Sequence, residues 1–77
     1  MIVKIKLRGP LRKYGPDAEI FEHNIDQDRC TVKELLEILN IPASSVSFVA
    51  RGENKISLDT ALKENDLVTV YPRVAGG

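Results

Sequence analysis

The stretch TVKELLEILN, residues 31–40, predicts the helix around which the rest of the chain is arranged. Thr31 is a suitable N-cap, and Glu34 three residues later completes a capping box, in which each side chain accepts a hydrogen bond from an unpaired backbone amide. The apolar residues recur at helical spacing and form one stripe: Val32, Leu35, Leu36 and Leu39. Asn40 and Pro42 end the helix.

Strand patterns lie on both sides of this helix. Residues 2–7 alternate apolar and charged side chains and residues 20–26 resume strand character, so the two predict an antiparallel hairpin joined by a loop over 8–18. After the helix, three further strands are predicted: residues 46–50, 55–58 and 67–71. A brief helical turn is predicted over 59–63. The order ββαβ(β)β predicts an α+β fold in which one main helix packs across one face of a mixed sheet of four or five strands, and it fits a β-grasp (ubiquitin-like) fold.

Composition limits the function more than it identifies it. The chain has 77 residues, enough for one small domain and too few for a deep substrate cleft. Eleven basic and eleven acidic residues cancel, so no overall field attracts nucleic acid. Apolar runs fall far short of the roughly 20 residues of a membrane span, and the N-terminus lacks the pattern of a signal peptide. We therefore expect a cytoplasmic protein with no nucleic-acid or membrane partner.

Reactive side chains are few. Cys30 precedes the N-cap, and we interpret it as a packing residue against Leu35 rather than as a thiol carrier. His23 has no second histidine and no nearby cysteine, so a metal or catalytic role is disfavoured. The first loop carries a small basic cluster: Arg8, Arg12 and Lys13. This cluster is either a solvated loop or a contact for an acidic partner.

The C-terminal sequence, Tyr71-Pro72-Arg73-Val74-Ala75-Gly76-Gly77, carries the most specific signal. Together with the acidic turn and the strand before it, it resembles the end of the small subunit of molybdopterin synthase. The thiamine sulfur carriers, which share the β-grasp layout, end in a similar way, but their first connection is usually shorter. Two residues depart from the molybdopterin synthase pattern. Arg73 stands where a second proline is common, and Asn65 replaces a glycine, although asparagine tolerates the left-handed backbone that such a turn needs.

The resemblance implies a carrier that works through its C-terminus. A ubiquitin-activating-like adenylyltransferase would use ATP to activate the Gly77 carboxylate, and a persulfide donor would convert it to a thiocarboxylate. The molybdopterin synthase large subunit would then receive the sulfur. The chain would bind no cofactor or metal itself. Gly76 and Gly77 lack Cβ atoms and would pass through a narrow channel. Three alternatives stay open: a sulfur carrier for thiamine thiazole synthesis, a ubiquitin-like modifier joined to lysines through Gly77, and a plain interaction domain.

The predicted layout is a β-grasp domain over residues 1–72 and a flexible tail over 73–77. The residues predicted to contact a partner are Arg73, Val74, Ala75 and Phe48. Strand faces cannot be assigned from the pattern alone, so Phe48, Val68 or Val70 are all candidates for a docking patch on the sheet face away from the helix.

Overall fold

A five-stranded mixed sheet and one α-helix make up residues 1–73, the part of the chain that this computed structural model describes. The strands are β1 (Ile2–Leu7), β2 (Ile20–Asn24), β3 (Val46–Arg51), β4 (Asn54–Ile56) and β5 (Leu67–Pro72). Their order across the sheet is β2-β1-β5-β3-β4. β1 pairs with β5 in parallel, and the other three pairings are antiparallel. The predicted α+β architecture is therefore confirmed, with five strands.

Helix α1 (Val32–Ile38) begins as predicted. The Glu34 amide donates to Thr31 Oγ1 at 3.2 Å, and the Thr31 amide donates to Glu34 Oε1 at 3.1 Å. The helix ends at Ile38 with Leu39 as its C-cap, and the next residue, Asn40, has a φ of +61°. Short polar side chains tolerate this left-handed conformation better than most residues, which explains why the helix ends there.

The core lies between α1 and one face of the sheet. It contains the alternate residues of β1 and β5 and the apolar stripe of the helix: Val3, Ile5, Leu7, Val68, Val70, Val32, Leu35 and Leu36. The prediction that Val68 or Val70 could form a docking patch is wrong. The parallel register places Val68 beside Ile5 and Val70 beside Leu7, so these residues share the core face of the sheet.

The helical turn predicted over residues 59–63 is also wrong. This segment runs alongside the residues that lead into α1, where the Val32 amide donates to Thr60 O at 3.1 Å and the Leu62 amide donates to Cys30 O at 2.8 Å. Leu62 is buried in the core. Five residues gain little from an isolated turn of helix, whereas these long-range hydrogen bonds and the burial of Leu62 stabilise the extended path.

Two connections position the ends of the central strands. The first loop contains a 3₁₀ helix, Gly9–Tyr14, whose Leu11 is buried. Gly9 begins it with a φ of +54°, a conformation that glycine adopts without strain. Before β5, Asn65 has a φ of +66°, which confirms that asparagine adopts the left-handed backbone expected in this turn. Asp66 then accepts from the Lys63 amide at 2.8 Å and pairs with Arg51 at 3.0 Å.

Candidate functional site

Strand β5 connects the centre of the sheet to the C-terminal residues. It lies between β1 and β3, and it ends at Pro72. The Arg73 amide donates to Ser45 O at 2.9 Å, so the backbone is still held to the domain one residue after the strand. Val74–Gly77 lie outside the described residues. The roles predicted for Gly76, Gly77, Val74 and Ala75 therefore stay predictions.

The sheet face away from α1 carries an aromatic pair. Phe48 on β3 and Tyr71 on β5 are cross-strand partners, and their rings stack with centroids 4.4 Å apart and an interplanar angle of 17°. Both side chains are half-buried. Of the three residues that were candidates for the sheet face away from the helix, Phe48 lies there. Its role in partner binding stays a prediction. Tyr71 was missed as a surface residue, although Val68 and Val70 on the core face imply by alternation that Tyr71 points the other way.

Positive charge surrounds this aromatic pair. Lys55 Nζ lies 4.5 Å from the Phe48 ring centroid, and Arg8 Cζ lies 5.9 Å from the Tyr71 centroid. Lys4 and Lys6 alternate with the core residues of β1 and therefore share the same face, where Glu22 is the cross-strand partner of Lys4. Because the whole chain has a net charge of zero, this excess of cations on one face is a local feature of the fold.

The sequence-predicted basic cluster is divided by the structure. Lys13 stacks over Tyr14, with Nζ 5.3 Å from the ring centroid. Arg8 and Arg12 instead line a cleft beside the outer sheet face, together with Lys6 and Glu19. Sequence spacing gave no sign that Lys6 and Glu19 would join the cluster, because β1 and the segment before β2 meet only through strand pairing.

A cavity of about 360 Å³ lies where the chain leaves the sheet. It is lined by Pro10, Leu11, Lys13, Tyr14, Ser44, Ser45, Pro72 and Arg73. These side chains offer apolar walls, three hydroxyl groups (Tyr14, Ser44 and Ser45) and two cations (Lys13 and Arg73), but no carboxylate, imidazole or thiol. The cavity lining therefore provides no carboxylate or imidazole that could activate one of its hydroxyl groups as a nucleophile.

The other candidate reactive groups are also poorly suited to catalysis. Cys30 is buried, and burial, helped by the nearby charge of Glu34, raises the pKa of its thiol. A raised pKa keeps the sulfur protonated and unreactive at neutral pH. Among residues 1–73, no three His, Cys, Asp or Glu side chains are grouped so as to hold a metal ion. No helix in the described part of the chain has the length and hydropathy of a membrane-crossing segment.

No protein-family model matches the chain, and no curated protein sequence matches it either. Solved structures do. SAMP1 from Haloferax volcanii shares 18% identity over the full length of both chains, with a TM-score of 0.72. The chain has the β-grasp fold. A chain in the complex of subunits 1 and 2 of molybdopterin-converting factor from Helicobacter pylori 26695 is 28% identical over the full length of both chains, with a TM-score of 0.62.

A third β-grasp neighbour comes from Pyrococcus furiosus and is assigned to subunit 1 of the same factor. It is 21% identical, the match covers 95% of this chain and 98% of that one, and the TM-score is 0.70. The likeness predicted from the C-terminal motif therefore extends over the entire β-grasp domain. The candidate site on this domain is the outer sheet face, which lies beside Pro72 and Arg73 at the end of β5.

Proposed function

We propose that this chain is a sulfur carrier for molybdopterin synthesis and that the sulfur is carried on the Gly77 carboxyl group. The observation that carries the proposal is the course of β5. Its side chain Tyr71 contributes to the outer sheet face, and the chain then continues through Pro72 and Arg73 toward Gly76-Gly77. A partner that covers the aromatic pair would therefore also receive the C-terminus.

The chemistry needs activation, because a carboxylate is a poor electrophile at neutral pH. The Gly77 carboxylate would attack the α-phosphorus of ATP, forming an acyl-adenylate and releasing pyrophosphate. The terminal sulfur of a persulfide would then attack the acyl carbon and displace AMP. A thiol would reduce the resulting acyl disulfide, so that the S–S bond breaks and a thiocarboxylate remains on Gly77.

The β-grasp domain leaves these steps to partner enzymes. Its thiol is buried, and the cavity beside Pro72 and Arg73 is lined by no carboxylate or imidazole, so a partner adenylyltransferase would supply the ATP site and a persulfide enzyme the sulfur. The acceptor would be a molybdopterin synthase large subunit. The Helicobacter pylori neighbour, solved as a complex of subunits 1 and 2 of molybdopterin-converting factor, supports a partnership of this kind.

Intact mass spectrometry tests the proposal. The chain is incubated with the adenylyltransferase from its own genome, ATP and a persulfide donor, and we expect the mass change of one oxygen-to-sulfur exchange. A variant that lacks Gly77 is expected to show no exchange and an unchanged free energy of unfolding. Glu53→Gln is the matched control, because Glu53 lies in the β3–β4 turn at the end of β3 far from Pro72. This variant should exchange normally.

Two results would overturn the proposal. One is the absence of any exchange with an adenylyltransferase that is active on ATP and on this chain. The other is a glycine remnant of this chain on lysines of cellular proteins without any thiocarboxylate, which would indicate a protein modifier. Unfolding on removal of Gly77 would instead assign the terminal residue a structural role.

A further inference from the structure

We propose that the cleft beside the outer sheet face binds a carboxylate side chain of the partner protein and that Glu19 occupies this cleft in the free chain. The proposal rests on the function proposed above, because it concerns the partner that docks on the carrier. It adds the chemical nature of the docking contact and a residue that competes with it.

The cleft has a volume of about 360 Å³ and lies between β1 and the 3₁₀ helix of the first loop. Its lining residues are Lys6, Leu7, Arg8, Gly9, Arg12 and Glu19. Three of these side chains are cationic and one is anionic. The cleft thus has a formal charge of +2 on a chain whose net charge is zero.

Glu19 is the anionic side chain of the cleft lining, and it pairs with Lys6. Lys6 Nζ lies 3.1 Å from Glu19 Oε1. The hydrogen bond from Lys6 and then the charge of Lys6 hold the pKa of the Glu19 carboxyl below its ordinary value, and the charges of Arg12 and Arg8 add to the effect. The arrangement therefore already favours an ionised carboxylate at this place.

The occupancy by Glu19 is incomplete. Its side chain is 73% exposed, and an exposed ion pair of this kind contributes little to stability. Within residues 1–73 the ion pairs are Lys6–Glu19 and Arg51–Asp66, so neither Arg8 nor Arg12 has a carboxylate within 4.0 Å in the described part of the chain. A second carboxylate would find two guanidinium groups available, and these groups bind carboxylates with paired hydrogen bonds.

The position of the cleft indicates an acidic protein side chain rather than a free anion. Arg8 lines the cleft and also lies 5.9 Å from the Tyr71 ring centroid, so it links the cleft to the aromatic pair. A partner that covers Phe48 and Tyr71 with apolar groups would bring an acidic residue at the edge of its interface against Arg8 and Arg12. Apolar centres with charged rims are the usual arrangement in such interfaces.

Isothermal titration calorimetry with the molybdopterin synthase large subunit from the same genome tests the proposal. Arg12→Gln should weaken binding about tenfold, in the range of one charge-assisted hydrogen bond lost at an interface. Glu19→Gln should strengthen binding severalfold, because the internal competitor is removed. Lys13→Gln is the matched control: it removes one charge from the same 3₁₀ helix but outside the cleft lining, and its affinity should stay near that of the unsubstituted chain.

Three results would overturn the inference. The first is an Arg12→Gln affinity equal to that of Lys13→Gln, and the second is a Glu19→Gln affinity that is unchanged or weaker. The third is displacement of the Glu19 carboxyl by millimolar inorganic phosphate, read from its carbon NMR shift, which would indicate a phosphate site. Thiocarboxylate formation is measured separately, so the carrier function can succeed while the cleft fails, or the reverse.

Discussion

Replacement of Phe48 by alanine would separate the docking role proposed for the outer sheet face from the contribution of this residue to stability. Phe48 is half-buried on the outer face, and it contacts the Tyr71 ring at 4.4 Å and Lys55 Nζ at 4.5 Å. The core beneath the sheet does not include this ring. Truncation therefore removes surface contacts without opening a cavity in the core.

The expected loss of stability follows from these two contacts. An aromatic pair contributes about 0.5–1.5 kcal/mol beyond the area it buries. An exposed cation–π contact contributes about 0.5–1 kcal/mol. We expect Phe48→Ala to lower the free energy of unfolding by about 1–2.5 kcal/mol, which leaves a domain with several kcal/mol of stability folded.

Phe48→Ala is also expected to weaken the binding of the partner. Aromatic residues at the centre of an interface cost 2 kcal/mol or more when truncated, which corresponds to a dissociation constant about 30-fold higher. The assay pairs urea unfolding of the free variant with calorimetric titration of the molybdopterin synthase large subunit. Ile38→Ala is the control, because Ile38 is 40% exposed at the end of α1, in the layer opposite the outer face.

The reasoning would be refuted by a Phe48→Ala variant that stays folded and binds the large subunit as tightly as the Ile38→Ala variant does. A loss of more than about 4 kcal/mol in the free energy of unfolding would refute the expectation that Phe48 makes only surface contacts, because a cost of that size is typical of core truncation. In that case the ring would support the sheet rather than a partner.

Two further predictions concern the domain itself. Thr31→Ala should lower the free energy of unfolding by about 1 kcal/mol in a urea titration, because it removes the oxygen that accepts from the Glu34 amide at 3.2 Å; an unchanged midpoint would contradict the importance of the cap. Cys30 should resist iodoacetamide in the native state and react on unfolding, as mass spectrometry would detect. Because its folded pKa is raised above the ordinary 9.0, the neutral thiol stabilises the fold at lower pH, and stability should fall as the pH rises past 9, with a smaller decline in Cys30→Ala.

Local signals in the sequence predicted the elements that depend on local interactions. The capping box at Thr31 and Glu34 places both of its partners within one turn, so the helix start could be identified without any tertiary information. The left-handed residue Asn65 is likewise a property of a single turn. The failures at Val68 and Val70 have the opposite origin. Their orientation depends on a parallel pairing with β1, more than sixty residues earlier in the chain, which no local pattern contains.

The candidate site divides in the same way. The motif Tyr71-Pro72 followed by Gly76-Gly77 is contiguous, so it was recognisable in the sequence. The stacking of Tyr71 on Phe48 is not, because it follows from the antiparallel register of β5 against β3. The cleft could not be predicted from the sequence either, because Glu19 lies beside Lys6 only when β2 pairs with β1.

The geometry of β5 limits how a partner can use this protein. Gly77 is six residues after Tyr71, and an extended chain of six residues spans at most about 20 Å. A partner that docks on the aromatic pair must therefore place its own reactive centre within that radius. The hydrogen bond from the Arg73 amide to Ser45 O shortens the distance that the C-terminus can reach, because it holds the first residue after the strand against the domain. If the carrier function proposed above holds, chain length couples the docking surface to the C-terminus, and the domain would determine where the chemistry on Gly77 can take place.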